Sequence, residues 1–100
     1  MTFETTQSKV IEWAKARQII PNSTSQTQLL KTMSELGELA DALIKNDREG
    51  IIDGLGDVLV TLIIVAETQG IELCNCLDYA YEEIKDRTGT MMPNGVFIKD

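Results

Sequence analysis

Residues 58–66 form the longest apolar run of the chain, interrupted only by Thr61, and they constrain the fold more than any other segment. A membrane-spanning helix needs about 20 apolar residues, so this run is too short to cross a bilayer. Asp53 and Asp57 lie just before it, and apolar residues recur at helical spacing from Ile51 onward. The run therefore predicts a core helix that is apolar nearly all round and lies at the centre of a helical domain.

Three further helices are predicted from apolar residues at helical spacing and from residues that start or stop helices. The second helix is the most clearly amphipathic, with an apolar stripe that is typical of a helix facing a core. The stripe consists of Leu29, Leu30, Met33, Leu36, Leu39, Ala40, Leu43 and Ile44. The four predicted helices cover Phe3 to Arg17 or Gln18, Thr24 or Ser25 to Ile44, Asn46 or Asp47 to Gly70, and about Glu72 to Arg87.

The predicted fold is one all-α domain spanning residues 1–100, a four-helix bundle with a short extended C-terminal tail. The connections between the helices have the short lengths usual in bundles, and no repeat or long linker marks a second domain. A chain this small buries only a modest share of its surface, so association with copies of itself would stabilise it. We therefore expect a homo-oligomer.

Charge and cysteine content exclude several kinds of partner and site. The 16 acidic and 9 basic residues give a net charge of −7, which repels nucleic acids and anionic membranes. The chain has no His, and Cys74 and Cys76 would point in different directions on a helix, so we expect inert buried thiols and no zinc site. The polar start at 1–7 lacks a signal-peptide pattern, which together with the few cysteines predicts a cytoplasmic protein.

Two acidic pairs lie on the second and the central helix. Glu35 and Glu38 are three residues apart and Asp53 and Asp57 are four apart, so each pair occupies one face of its helix. Four carboxylates near a helix–helix seam repel one another unless a cation or a proton neutralises them. Magnesium binds carboxylate oxygens and keeps coordination positions for water and phosphates. The pairs therefore predict a magnesium site that acts on phosphates, with Mn²⁺ as a possible substitute cation.

A solvated acidic surface is the alternative interpretation of these residues. Glu side chains three residues apart are common on the exposed face of an amphipathic helix. Asp57 counts against this alternative, because it directly precedes the apolar residues of the central helix.

Residues 31–59 resemble the MazG-like all-α nucleoside triphosphate pyrophosphohydrolases. The resemblance rests on Lys-Thr-Met-Ser-Glu-Leu-Gly-Glu-Leu-Ala-Asp-Ala-Leu and on the later Asp-Gly-Leu-Gly-Asp-Val-Leu. The family motif is Glu-Glu-x-x-Glu on one helix and Glu-x-x-Asp on the next, and its acids hold magnesium. The matching positions are Glu35, Glu38 and Asp57.

The sequence departs from the family motif at two positions. Ser34 stands in place of the first Glu, and Gly54 stands in place of the Glu of Glu-x-x-Asp. Asp53 is the candidate replacement for the second of these acids. The two departures favour an alternative function, in which a non-catalytic bundle serves as a nucleotide-binding sensor or an assembly module. A purely structural helical protein with an acidic face is the third hypothesis.

The resemblance implies an enzyme that cleaves between the α- and β-phosphates of a nucleoside triphosphate and releases the monophosphate and pyrophosphate. It also implies a homodimer or homotetramer, with a role in nucleotide-pool house-cleaning. At such a site Glu38 is the candidate general base. The base and the sugar of the preferred nucleotide are not readable from the motif.

Four further residues are candidate substrate-binding residues. Lys85 and Arg87 lie at the C-terminal end of the last predicted helix and could clamp the leaving pyrophosphate, or only complement the helix dipole. Trp13 could stack on a base, or belong to the core or to a subunit interface. Lys31 lies one turn before Glu35, where it could reach a phosphate or pair with that carboxylate.

Overall fold

A computed structural model describes all 100 residues of the chain. Five helices account for most of the protein, and a two-stranded antiparallel hairpin follows them. No membrane span is present among the helices, since none combines the needed length with the needed apolarity. The elements are α1 Phe3–Ala16, α2 Ile19–Asn22, α3 Ser25–Ile44, α4 Arg48–Thr68, α5 Leu73–Ile84, β1 Gly89–Met91 and β2 Phe97–Lys99.

Local signals in the sequence set the ends of the two long helices. The Thr24 hydroxyl accepts a hydrogen bond from the Thr27 backbone N–H at the start of α3, and the Asp47 carboxylate does the same for the Gly50 N–H at the start of α4. Gly70, with φ of 71°, ends α4 in the left-handed conformation that glycine adopts freely. The predicted boundaries of these two helices are confirmed.

The ends of the chain differ from the prediction in two places. A short helix, α2, occupies the predicted break after α1, and α5 ends at Ile84 instead of Arg87. The tail is extended as predicted, but it also folds back so that β1 pairs with β2. Gly89 permits this pairing, because a Cβ there would collide with the Ile98 carbonyl oxygen and the Phe97 ring. The hairpin therefore begins at Gly89, two residues after the predicted end of the last helix at Arg87.

Helix α4 lies at the centre of the fold, as the apolar run predicts, and contacts α1, α2, α3 and α5. Helix α3, in contrast, packs against α4 alone, so the single chain does not close a four-helix bundle. Its predicted core stripe is largely uncovered, with Leu30 64% and Met33 60% exposed. The prediction that this stripe faces the core is therefore wrong for a single chain. The buried residues are instead Gln7, Ile11, Ala14, Thr32, Glu35, Ala42, Gly54, Thr61, Ile63, Ile64 and Ala66.

Helices α3 and α4 form an antiparallel pair whose contacts repeat every seven residues. Three layers make up the seam: Ser25 with Thr68, Thr32 with Thr61, and Leu39 with Gly54. The first two layers are hydroxyl–hydroxyl hydrogen bonds, and in the third Leu39 fills the space that a Gly54 side chain would take. A seven-residue spacing keeps the same face of a helix against its neighbour. This seam fixes which residues of α3 lie opposite which residues of α4.

The two cysteines are free and half-buried on α5, and they form no disulfide. Burial raises the pKa of the Cys74 thiol above its ordinary value, and nearby carboxylates act in the same direction. A raised pKa keeps a thiol protonated and unreactive. The predicted inert thiols are consistent with this environment, although the residues are less buried than expected.

Candidate functional site

The four predicted acids line one cavity between α3 and α4. Its volume is about 440 Å³, and it lies beyond the Thr32–Thr61 layer, toward the connection at 45–47. The acidic pairs of both helices face it, so the structure brings together the carboxylates that the spacing predicts. The other lining residues, none of which was predicted as a ligand, are Asp41, Ala42, Lys45, Asp47, Gly50 and Gly54. We call this space the acidic cavity.

On α3, the two glutamates have opposite electrostatic environments. Hydrogen bonding with Glu38 and then the Lys31 ammonium hold the pKa of Glu35 below its ordinary value. Lys31 Nζ lies 3.2 Å from Glu35 Oε1, so the predicted pairing of these residues is present. Glu38 has a raised pKa, first because of hydrogen bonding with Glu35 and then because of repulsion from Glu35. One proton is therefore held more readily by Glu38 than by Glu35.

On α4, Asp57 is the half-buried member of its pair and Asp53 is exposed. Burial raises the pKa of Asp57, and the negative charges of Asp53 and Glu35 raise it further. The pKa of Glu38 is also raised by the charge of Asp57, so the acids of the two helices repel one another across the cavity. The repulsion predicted among these four carboxylates is therefore present in the folded chain, between residues of α3 and α4.

The donor set fits a hard divalent cation, because all four candidate ligands are carboxylates. The side chains do not yet converge, since no three Asp, Glu or Cys side chains are placed to hold a metal ion together. Glu38 and Asp53 are exposed, whereas Glu35 is buried. The acidic cavity therefore brings the carboxylates of both helices to one space without fixing them on one point.

The remaining predicted residues lie in different places. Trp13 is 42% exposed, with Arg17 stacked at 5.0 Å from its ring, and it lines a groove that also touches Asp57. Lys85 pairs with Glu82 at 2.6 Å. Neither Lys85 nor Arg87 lines the acidic cavity of its own chain. The single chain thus brings Trp13 and Lys31 near the acids, but it does not bring the two C-terminal cations there.

A second, larger cavity of about 720 Å³ lies between α1 and α4. Its walls are mostly apolar, and Asp53 and Asp57 line it as well as the acidic cavity. Gly56 also lines it, and a Cβ at that position would meet nothing within 4 Å. A mid-helix glycine costs about 1 kcal/mol relative to alanine, so the residue leaves room in the cavity at the expense of helix stability. We call this space the α1–α4 cleft.

Gln7 is the polar residue of the α1–α4 cleft that the sequence analysis missed. It is only 1% exposed, and its Oε1 accepts a hydrogen bond of 3.0 Å from the Cys74 backbone N–H. This bond fixes the orientation of the amide, because an N–H can face only the oxygen. The Nε2 donor has no acceptor in the chain, and every fully buried side-chain N or O is paired, so Nε2 reaches the open space of the cleft. The sequence signal for its burial was its spacing: Gln7 lies on the same helix face as the apolar residues Ile11 and Ala14.

Gly54 is explained by packing against α3. A Cβ at Gly54 would lie 3.2 Å from the Leu39 Cβ and 3.3 Å from its Cα. A glutamate could not be added there without moving Leu39. Ser34, the other departure from the family motif, is exposed on α3 and makes no side-chain hydrogen bond.

One family model matches more than half of the chain. The profile of the MazG nucleotide pyrophosphohydrolase domain matches residues 23–91, which include all four acids of the cavity. An uncharacterized 18.2 kDa protein of Haemophilus phage HP1 is 38% identical over 61 residues, which are 61% of this chain and 37% of that protein. The chain thus spans little more than a third of the length of this curated relative.

A solved structure shares the fold of the whole chain. It is the cyanophage S-2L MazG-like pyrophosphohydrolase bound to dGDP and three catalytic Mn²⁺ ions per active site. The TM-score is 0.69 with 20% sequence identity, and the match covers 100% of this chain and 98% of that one. The helical arrangement described above is therefore one that a solved MazG-like protein also has.

Proposed function

Because this chain belongs to the MazG nucleotide pyrophosphohydrolase family, we propose that it hydrolyses a nucleoside triphosphate to the monophosphate and pyrophosphate. The observation that carries the proposal is the acidic cavity, where carboxylates from α3 and α4 face one space and the pKa values of Glu38 and Asp57 are raised. Such a cluster is costly unless it has a ligand. The proposed location is the cytoplasm, and the proposed role is the removal of unwanted nucleotides from the nucleotide pool.

Glu35, Glu38, Asp53 and Asp57 are the residues that would hold the cation, Mg²⁺ or its substitute Mn²⁺. The bound cation would neutralise the phosphate oxygens and lower the barrier to attack on phosphorus. To hold one cation together, the exposed Glu38 and Asp53 side chains would have to turn toward Glu35 and Asp57. Binding of dGDP and Mn²⁺ by the cyanophage protein supports the choice of a nucleotide and a divalent cation.

Glu38 is the proposed general base. Its carboxylate takes a proton from the attacking water while the water oxygen bonds to the α-phosphorus and the bond to the β-phosphate oxygen breaks. The raised pKa of Glu38 makes it a better proton acceptor than the neighbouring Glu35. Lys31 neutralises Glu35 at 3.2 Å and lies close enough to the cavity to contact a phosphate.

The α1–α4 cleft is the proposed place for the base of the nucleotide. It shares Asp53 and Asp57 with the acidic cavity, so a ligand with phosphates in one can reach into the other. The Gln7 Nε2 is a donor without an acceptor in the chain, on a residue that lines the cleft, which suits a carbonyl oxygen or ring nitrogen of a base. Trp13 offers an exposed aromatic face in the adjoining groove.

A second copy of the chain is the proposed cover for α3. Uncovered apolar residues of this kind mark an interface, and α3 has no neighbour other than α4 in its own chain. Two α3–α4 pairs packed face to face would close the predicted four-helix bundle. The proposed assembly is a homodimer or a homotetramer, and a partner's Lys85 and Arg87 are the proposed clamp for pyrophosphate.

The assembly predicts that Met33→Glu lowers the mass of the particle. Charge at this exposed stripe position, which lies between other apolar residues, should split the assembly and lower its melting temperature. Sedimentation equilibrium at several concentrations measures the mass, with circular dichroism to show that helix content is kept. A parent chain that sediments as a monomer at all concentrations would contradict the assembly.

The proposed reaction is tested with a panel of canonical and modified ribo- and deoxyribonucleoside triphosphates in the presence of Mg²⁺. We expect release of monophosphate and pyrophosphate in equal amounts, with no reaction after addition of a chelator. Release of inorganic phosphate and a diphosphate would contradict cleavage between the α- and β-phosphates.

The same samples distinguish the two rival functions through their melting temperatures. A cation that binds only the folded chain stabilises it by about 2.7 kcal/mol at 100 times its Kd. Stabilisation by Mg²⁺ without turnover of any nucleotide would favour the sensor, which the lack of room for a glutamate at Gly54 supports. A melting temperature unaffected by Mg²⁺ would favour the purely structural protein.

A further inference from the structure

Two hydroxyl bridges join α3 to α4, and they are alike in chemistry but differ in their distance from the acids. Thr32 Oγ1 donates to Thr61 Oγ1 at 2.8 Å, and the Ser25 and Thr68 hydroxyls lie 2.6 Å apart. Thr32 and Thr61 are 3% and 5% exposed. The two bridges lie seven residues apart on each helix, in the seam described above. They are therefore two bonds of the same kind within one chain, the inner one buried and the outer one half-buried, with Gln69 as a further donor to Ser25.

Each hydroxyl of the inner bridge also has a backbone carbonyl acceptor on its own helix. The Thr61 hydroxyl donates to the Val58 carbonyl oxygen at 2.8 Å, so its lone pair is free to accept from Thr32. The Gln28 carbonyl oxygen, at 3.0 Å, is a second acceptor within reach of the Thr32 hydroxyl. Loss of the Thr61 hydroxyl would thus leave Thr32 with a partner, and the bridge can be removed without creating an unpaired buried donor.

The inner bridge lies one helical turn from the acids on both helices. Thr32 comes three residues before Glu35, and Thr61 comes four residues after Asp57, which is a rise of about 5–6 Å on each helix. Residues at these spacings share a helix face. On the far side of the acids, Leu39 packs against Gly54. The carboxylates of α3 and α4 therefore face each other between a hydrogen-bonded layer and an apolar layer.

A directional contact beside the acidic cavity has a physical role, because the carboxylates on α3 and α4 repel each other and so oppose the packing of the two helices. Carboxylates on the two helices repel each other and push the helices apart or around their axes. Apolar contacts are non-directional and tolerate small rotations, whereas a buried hydroxyl pair keeps its bond in only one register. The outer bridge is two turns further away and faces no acidic residue of the cavity.

We propose that Thr32 and Thr61 are positioning residues, whose hydrogen bond holds Glu35 of α3 opposite Asp57 of α4 and so sets the affinity of the acidic cavity for a divalent cation. This inference rests on the proposed function, since it concerns the same site. Supporting residues behind metal ligands typically change metal affinity by about 10–100-fold when they are removed.

The test compares Thr61→Val with Thr68→Val, which remove the inner and the outer bridge with the same substitution. We expect Thr61→Val to weaken Mn²⁺ binding by about tenfold, measured by titration calorimetry on the protein without nucleotide. Thr68→Val should leave Mn²⁺ affinity within about twofold of the parent, while the melting temperatures of both variants without metal fall by similar amounts. Thr32→Ser, which keeps the hydroxyl, should retain the parent affinity.

Equal Mn²⁺ affinities for the Thr61 and Thr68 variants would overturn the positioning role and leave the proposed function intact. A parent protein that binds no Mn²⁺ would overturn both. If Thr61→Val does not fold, Thr32→Val removes the same bridge and leaves Thr61 bonded to the Val58 carbonyl oxygen, so the comparison is made with that variant.

Discussion

Glu38→Gln is expected to lower the turnover of nucleoside triphosphates by about 100-fold or more, since a general base contributes about 10²–10⁴-fold. The amide keeps the size of the side chain but cannot accept the proton of the attacking water. The measurement is the initial rate of pyrophosphate release at saturating Mg²⁺. A variant as active as the parent would remove Glu38 from the catalytic site.

The same substitution should raise the melting temperature at neutral pH in the absence of a divalent cation. The pKa of Glu38 in the folded chain lies above its ordinary value of 4.5, so the ionised side chain is less favourable in the folded than in the unfolded state. This penalty is present above the raised pKa and disappears as the pH falls toward 4.5. The advantage of the glutamine variant should therefore shrink in acid. Glu12→Gln, exposed on α1 and outside both cavities, is the control for both readouts.

Gly54→Ala and Gly56→Ala are expected to change stability in opposite directions, although both glycines lie within α4. At Gly54 the new Cβ would press on Leu39, including its Cα at 3.3 Å, and overpacking of this kind costs about 1–3 kcal/mol. The gain of about 1 kcal/mol in helix propensity does not offset it. We expect a net loss of about 1 kcal/mol, or roughly 5 °C in Tm for a domain of this size.

Gly56→Ala meets nothing within 4 Å and should raise stability by about 0.5–1 kcal/mol. Since Gly56 lines the α1–α4 cleft, the same variant should raise the KM of a nucleotide while kcat stays close to that of the parent. Thermal melts at equal protein concentration give the stability, and steady-state kinetics give the second effect. Equal shifts in Tm for the two glycine variants would show that Leu39 moves aside.

The helices were predictable because their signals are local. Thr24, Asp47 and Gly70 act on backbone groups within a few residues, so the sequence alone places the ends of α3 and α4. The early end of α5 was not predictable in the same way. The hairpin that follows α5 was not predictable either, because Gly89 meets Phe97, a contact between residues eight apart that no helical period reports.

The core was less predictable than the helices. An apolar stripe shows that a helix face needs cover, but it does not show whether the cover belongs to the same chain. On α3 most of the stripe faces outward, and the side toward α4 carries Thr32, Glu35 and Ala42 together with Leu39. The two buried threonines look like ordinary surface residues in sequence, and only their pairing across the seam explains them.

The acids of the site followed from spacing, since residues three or four apart share a helix face whatever the tertiary structure. Their approach across two helices, and the sharing of Asp53 and Asp57 between two cavities, depend on the register of α3 against α4. That register is set by residues 29 and 43 positions apart in the chain. The carboxylates do not converge on the position of a single ion in this structure.

The Gln7 amide links the first helix to the last one, and this contact has a consequence for how the chain opens. Glu72 provides no side-chain cap for α5, so the Gln7 oxygen serves the Cys74 N–H in its place, across 67 residues of sequence. Fraying of α1 would remove the cap of α5 and, at the same time, open the wall of the α1–α4 cleft that α1 forms. The two ends of the chain should therefore exchange their amide hydrogens as one cooperative unit, while the α3–α4 pair remains protected.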